Sequence, residues 1–134
     1  MIKKCGIMQG RLSPLIQGKI QAFPEKYWQN EFKILKKINL NLIEWTLDYK
    51  NLYRNPLLTL NGKKKIKFLK KKYSIKIQSI TCDCFMHRPF WKIKKNEMAI
   101  NYLKNIILSS GELNIKFVVI PLVDKGSIEN LKQE

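Results

Sequence analysis

With 134 residues, 45% of them apolar, the chain is long enough for one folding unit with a real core. Its formal charge of +16 is extreme for that length and comes mostly from lysine, the arginines being Arg11, Arg54 and Arg88. Three cysteines at no framework spacing argue against a disulfide scaffold, and no stretch approaches the roughly 20 apolar residues of a membrane span.

A field of this sign favours anionic partners such as nucleic acid, phosphorylated metabolites or a membrane surface. Codon bias is the preferred explanation, because Lys, Ile and Asn are abundant and Ala nearly absent, whereas phosphate-gripping surfaces draw on arginine's planar fork. The opening segment Met1 to Gly6 is too short an apolar run for a signal peptide. Reduced thiols, a cytoplasmic location and no membrane partner are expected.

In chain order, a first strand is predicted over Cys5 to Met8, closed by Gln9-Gly10-Arg11. After a loop with Pro14, Gly18 and Pro24, the segment Glu25 to Ile38 sets Trp28, Phe32, Leu35 and Ile38 at helical spacing. The second strand, Leu42 to Leu47, carries a carboxylate at its centre. Isolated burial there is costly, so Glu44 faces water, a ligand or a lysine partner, and Asp48 lies just beyond it. The loop Tyr49 to Thr59 breaks at Asn55-Pro56.

A second helix follows over Leu60 to Tyr73, with Ile66, Leu69 and Tyr73 as its stripe and Lys63, Lys64, Lys65, Lys67, Lys70, Lys71 and Lys72 around the rest. With no aromatic stacking platform read among them, the lysines are expected to form a solvated face rather than a nucleic-acid surface. The third strand, Lys76 to Ile80, runs into Thr81-Cys82-Asp83-Cys84-Phe85-Met86-His87, a polar cluster holding the chain's only histidine. Cys82 and Cys84 are expected on opposite faces of a strand, and Asp83 with His87 offers too few ligands for a metal. A third helix is predicted over Asn96 to Ser110, with Met98, Tyr102, Leu103, Ile106 and Ile107 inside and Gly111 as a left-handed cap. The fourth strand, Lys116 to Ile120, reads as buried on both faces. Gly126-Ser127 then leads to a fourth helix over Ile128 to Gln133.

Four alternations of strand and helix, at a spacing that suits βα units, predict an α/β fold with a parallel sheet, either doubly wound or a (β/α)8 barrel. Neither a dinucleotide glycine fingerprint nor a P-loop is present, which lowers the weight of the nucleotide-binding open sheets. In a barrel the active-site face gathers the polar residues at the carboxyl ends of the strands. Those are Gln9 and Arg11, Glu44 and Asp48, Thr81, Asp83 and His87, then Asp124.

With these residues in place, the chain resembles the sugar phosphate isomerase/epimerase family, whose fold is the xylose isomerase-like TIM barrel. The resemblance rests on Gly6-Ile7-Met8-Gln9-Gly10-Arg11-Leu12-Ser13, Ile43-Glu44-Trp45-Thr46-Leu47-Asp48, Ser79-Ile80-Thr81-Cys82-Asp83 with Phe85-Met86, and Val119-Ile120-Pro121-Leu122-Val123. It implies a partial (β/α)8 TIM barrel of about four parallel βα units, with residues 1–134 as the N-terminal half of a longer barrel. It also implies an enzyme that moves a carbonyl or inverts a carbinol centre on a sugar or sugar phosphate, assisted by a divalent metal. In such relatives the metal ligands lie on later strands, so neither metal nor assigned catalytic residues are expected on this chain alone. The implied substrate-binding set is Glu44 and Asp48 for hydroxyls, Arg11 for a phosphate or carboxylate, Gln9 for a carbonyl oxygen, Thr81, and Asp83 and His87 at the rim. Trp45, Phe85, Phe90 and Trp91 are candidates for an apolar wall, or for plain packing.

A half barrel leaves strand edges and an inner face open, so a missing C-terminal half, a partner chain or a second copy is expected to cover them. Two alternatives remain: a nucleic-acid-binding protein related to abasic-site endonuclease barrels, disfavoured because the lysines fall on outer helices, and a non-catalytic half barrel that needs a partner.

Overall fold

Strand β2 (Leu42–Thr46) sets the architecture, because its alternate residues Ile43 and Trp45 are shut off from solvent while Leu42 and Glu44 stay half-exposed. In the computed structural model, which describes residues 5–19, 22–92 and 96–129, this strand is second in a parallel sheet of order β1-β2-β3-β4. Its companions are β1 (Gly6–Met8), β3 (Lys76–Thr81) and β4 (Phe117–Val119). Helices α1 (Trp28–Lys37), α2 (Leu60–Tyr73) and α4 (Glu97–Glu112) connect them, with one-turn α3 (Cys84–His87) after β3 and single 3-10 turns at Leu52–Arg54, Pro56–Leu58 and Asp124–Gly126. The chain is therefore α/β with a four-stranded parallel sheet, compatible with a partial βα repeat.

Register carries the β2 alternation across the sheet. Ile7 pairs with Ile43 and Met8 with Glu44. On the other side Ile43 meets Ile77 but Trp45 meets Ile80, so β3 holds one extra residue, a bulge. The bulge lets Ile77 and Ile80, three apart, both turn toward the helices, and leaves Ser79 and Thr81 on the face of Glu44. One face of the sheet is thus packed, with Trp28, Phe32 and Leu35 of α1 and Ile66 and Leu69 of α2 joining Ile43, Trp45, Ile77 and Ile80 in one core. The opposite face carries no helix among the described residues.

Four predicted details change. Helix α1 begins at Trp28 rather than Glu25, because the carbonyl of Pro24 accepts the N–H groups of both Tyr27 and Trp28 in a turn, and Ile38 caps the helix from solvent. In α4 the buried line is Ala99, Ile106, Ser109 and Ser110, with Tyr102 and Leu103 half-buried; Met98 and Ile107 point outward. Gly111 lies inside α4, and Asn114 takes the left-handed conformation at φ 55°, a turn further on, so that Leu113 is buried first. Strand β4 is not buried on both faces. Phe117 and Val119 are 61% and 43% exposed, and Val118 alone packs toward the core, since β4 is an edge strand covered by helices on one side only.

The lysines of α2 lie outside as expected, but an aromatic ring does stand among them: Phe68 is exposed between Lys65 and Lys72. Of the fourth helix, residues 130–133 lie outside the described residues; Ser127 Oγ accepts the N–H of Glu129, as a helix cap would. No helix among the described residues is long and apolar enough to cross a membrane.

The two glycines of α2 and α4 give opposite predictions. A Cβ on Gly62 would collide with the backbone of Pro56, whereas one on Gly111 meets nothing within 4 Å. Gly111→Ala should raise stability by up to about 1 kcal/mol through helix propensity. Gly62→Ala should lower it by about 1–3 kcal/mol through the clash. Urea unfolding of the two variants checks both signs; a destabilised Gly111→Ala would restore the left-handed cap.

Candidate functional site

The site is built from the segments that leave the carboxyl ends of β1, β2 and β3. Glu44 stands on the uncovered face, one position from Trp45 and therefore on the other side of the strand. Its carboxylate accepts a hydrogen bond of 2.8 Å from Ser79 Oγ and another from Thr81 Oγ1, both side chains of β3. Among the described residues the only ion pair is Lys63 to Glu112, so no lysine partners Glu44. Two neutral hydroxyls hold this carboxylate, and no ion pair among the described residues cancels its charge.

Buried polar groups on the helix side fix the loops around it. Glu31 of α1 has no exposed surface, and its carboxylate accepts the N–H of Gly10 (2.9 and 3.1 Å), the N–H of Leu12 (3.2 Å) and the hydroxyl of Ser13 (2.8 Å). Burial raises its pKa, while these donors pull the other way. The turn that carries Arg11 is thereby held from below, and Arg11 itself is exposed. Gln9 is fully buried: its N–H donates to the carbonyl of Glu44, its Oε1 accepts the N–H of Thr46, and its Nε2 has no partner among the described residues. Gln9 thus braces β2 from within the structure. Asn55 accepts the indole N–H of Trp45 (3.0 Å) and the N–H of Leu57, and its Nδ2 donates to the carbonyl of Thr46. The Asn-Pro step is more than a break in the chain; it locks the end of β2.

Asp83 follows β3 and is 5% exposed, with Oδ2 buried and unpartnered among the described residues. Its pKa is pushed up to about 6, first by burial, then by the charges of Asp48 and Glu44, with His87 opposing. Asp48 and Glu44 therefore lie near enough for their charges to act on Asp83. Thr81 is buried beside it, donating to Glu44. Asp48 is half-buried at a cleft of about 320 Å³ bounded by Phe23, Glu25, Tyr27 and Asn51. His87 is exposed at the end of α3; its ring lies 5.8 Å from that of Tyr49, which also receives the Arg88 guanidinium at 5.4 Å. Asp124 is exposed, in the turn after β4.

One expectation fails here and one open alternative is decided, both for reasons of packing. Cys82 and Cys84 do not alternate along a strand, because β3 ends at Thr81 and Cys84 opens α3; both thiols are buried, and the Cys82 thiol is pushed up by its hydrogen bond with Cys84 and by desolvation. Trp45 forms no apolar wall, since it lies wholly in the core with its ring 5.6 Å from Phe23 and 5.5 Å from Trp28. Phe85 is buried edge-on to Phe90, which meets Trp91 in the same way, so this trio packs on itself.

Sequence reasoning missed Glu31, Asn55 and Ser79. The signals were an acid within the buried stripe of α1, an Asn ahead of Pro at a strand exit, and a hydroxyl two residues from Thr81. Among the described residues no three His, Cys, Asp or Glu side chains converge so as to hold a metal ion. No protein-family model matches the chain, and no curated protein matches it either.

The raised pKa of Asp83 has a definite sign. Between the unperturbed carboxylate value of about 4 and about 6, the folded chain keeps a proton that the unfolded chain releases, so this group's contribution to stability falls as pH rises through that window. Asp83→Asn should therefore gain in melting temperature relative to the parent as pH is raised from about 4 to about 7. A difference that stays constant across that range would remove Asp83 as the proton holder.

Proposed function

We propose that this chain is a sugar or sugar-phosphate isomerase/epimerase-like protein, and that it forms the substrate-facing half of a xylose isomerase-like (β/α)8 barrel in the cytoplasm. The observation that carries the reading is Glu44: a carboxylate on the uncovered face of a parallel sheet, oriented by Ser79 and Thr81, free of any cation among the described residues, and beside Asp48 and Asp83. Clustered acceptors of this kind call for a ligand rich in neutral donors. A polyol supplies several hydroxyl donors and requires no second buried charge.

In this reading Glu44 and Asp48 accept substrate hydroxyls, and Arg11, exposed on the turn that Glu31 holds, takes a phosphate or carboxylate. Gln9 and Thr81 position the acceptors. His87 stands at the rim, and Asp83, nearly buried, offers a carboxyl pushed up to about 6 that can exchange a proton with a substrate oxygen. The free edges of β1 and β4 and the exposed Phe117 and Val119 are what four further strands would cover. Carbon-centred proton transfer and any metal belong to those strands, so the reading assigns this chain substrate binding rather than a complete reaction.

Calorimetric titration of the chain with aldoses, ketoses, alditols and their phosphate esters tests it. Saturable binding of at least one of these is expected, and Glu44→Ala should weaken it about tenfold or more. Arg11→Ala should erase any preference for the phosphorylated form. Polyol binding that Glu44→Ala leaves unchanged would refute the assignment.

A further inference from the structure

The outer side of α2 carries a constellation that the sugar-binding reading does not use. With Ile66 and Leu69 buried, Phe68 projects away from the core and is 54% exposed. The residues that surround a position on a helix surface are those three and four before and after it. Around Phe68 all four are lysine: Lys64, Lys65, Lys71 and Lys72, each exposed. The ammonium groups of Lys65 and Lys72 lie 5.5 and 5.7 Å from the ring centroid. The helix contains no acidic residue. The lysines turned toward the protein are engaged, Lys63 with Glu112 and Lys70 with the carbonyl of Leu113, whereas the ring of four around Phe68 makes no ion pair among the described residues.

We propose that this face binds single-stranded nucleic acid, with one base stacked on Phe68 and the phosphates on either side of it held by the lysines one turn above and one turn below. The fit is chemical. A nucleotide within a strand offers a flat π-face between two anions, and α2 offers a ring between two pairs of cations, about 5 Å away along the axis in each direction. A duplex hides the faces of its bases in the stack, so it can engage only the lysines. A lipid surface favours several inserting apolar side chains, and here a single ring stands among ammonium groups. Helix α1, packed beside α2, extends the positive field with exposed Lys33, Lys36 and Lys37. The surface lies on the helix side of the sheet, across the core from Glu44, so it stands or falls independently of sugar binding.

Fluorescence anisotropy with a labelled oligothymidylate tests this. Affinity should fall between about 50 and about 200 mM salt with a logarithmic slope of about −3, as four lysine contacts to a single strand require. Phe68→Ala should weaken binding about tenfold with the slope unchanged, because it removes stacking and no charge. Replacing Lys64, Lys65, Lys71 and Lys72 with Gln should remove most of the salt dependence, while the same exchange at exposed Lys19, Lys26, Lys104 and Lys116 should cost far less. Circular dichroism of each variant separates loss of binding from loss of fold. The proposal is overturned if Phe68→Ala binds as the parent does, if the two quadruple variants weaken equally, or if a duplex binds as tightly as the single strand. Phe68-dependent binding to phosphatidylserine vesicles without binding to the oligonucleotide would overturn it in favour of a membrane.

Discussion

Burial of Trp45 is the constraint from which the rest of the structure follows. Its indole has no exposed surface, packs on Phe23 and Trp28, and spends its one donor on Asn55. Because side chains alternate along a strand, fixing Trp45 under the helices fixes Glu44 on the opposite side. A slip of one residue would bring the carboxylate into the apolar core and push the indole into water. The cost of that exchange, an unpaired buried charge plus a lost aromatic core residue, makes the register of β2 the best-determined feature of the sheet. The bulge in β3 then brings Ser79 and Thr81 to the same side as Glu44.

The loops at the strand ends are held from the helix side by polar groups that never reach solvent. Glu31 ties down Gly10 to Ser13, Asn55 ties the end of β2, and Gln9 links β1 to Thr46. Hydrogen bonds to a charged group contribute about 1.5–3 kcal/mol each, enough to offset the desolvation of one carboxylate when several converge, as they do on Glu31. The result is a division of labour: backbone and buried side chains set the geometry, while Arg11 and His87 stay exposed and Asp48 half-buried.

Much of this was legible in the sequence because it depends on period. The stripe Trp28, Phe32, Leu35 and the alternation Ile43, Trp45, Leu47 place α1 and β2 without any structure, and Leu60 to Tyr73 is the helix its spacing predicts. What period could not give is the identity of the neighbours. Strand β4 has the composition of a doubly buried strand, yet its position at the sheet edge leaves Phe117 and Val119 exposed. Glu31 looks like a surface acid until its turn of α1 is seen beneath the Gly10 turn. Phe68 sits in the lysine run for anyone to read, but only the burial of Ile66 and Leu69 shows that it faces outward. Gly111 and Asn114 both suit a left-handed cap, and the depth at which Leu113 packs decides between them.

The central claim is that the uncovered face around Glu44 receives a polyol, and an amide NMR titration tests it most directly by locating the ligand. A bound sugar or sugar phosphate is expected to shift the amides of Glu44, Thr46, Ser79, Thr81 and Asp83, on adjacent strand ends, and to leave those of α2 and α4 in place. Shifts confined to the helices, or none at any of those five positions under saturating ligand, would contradict it.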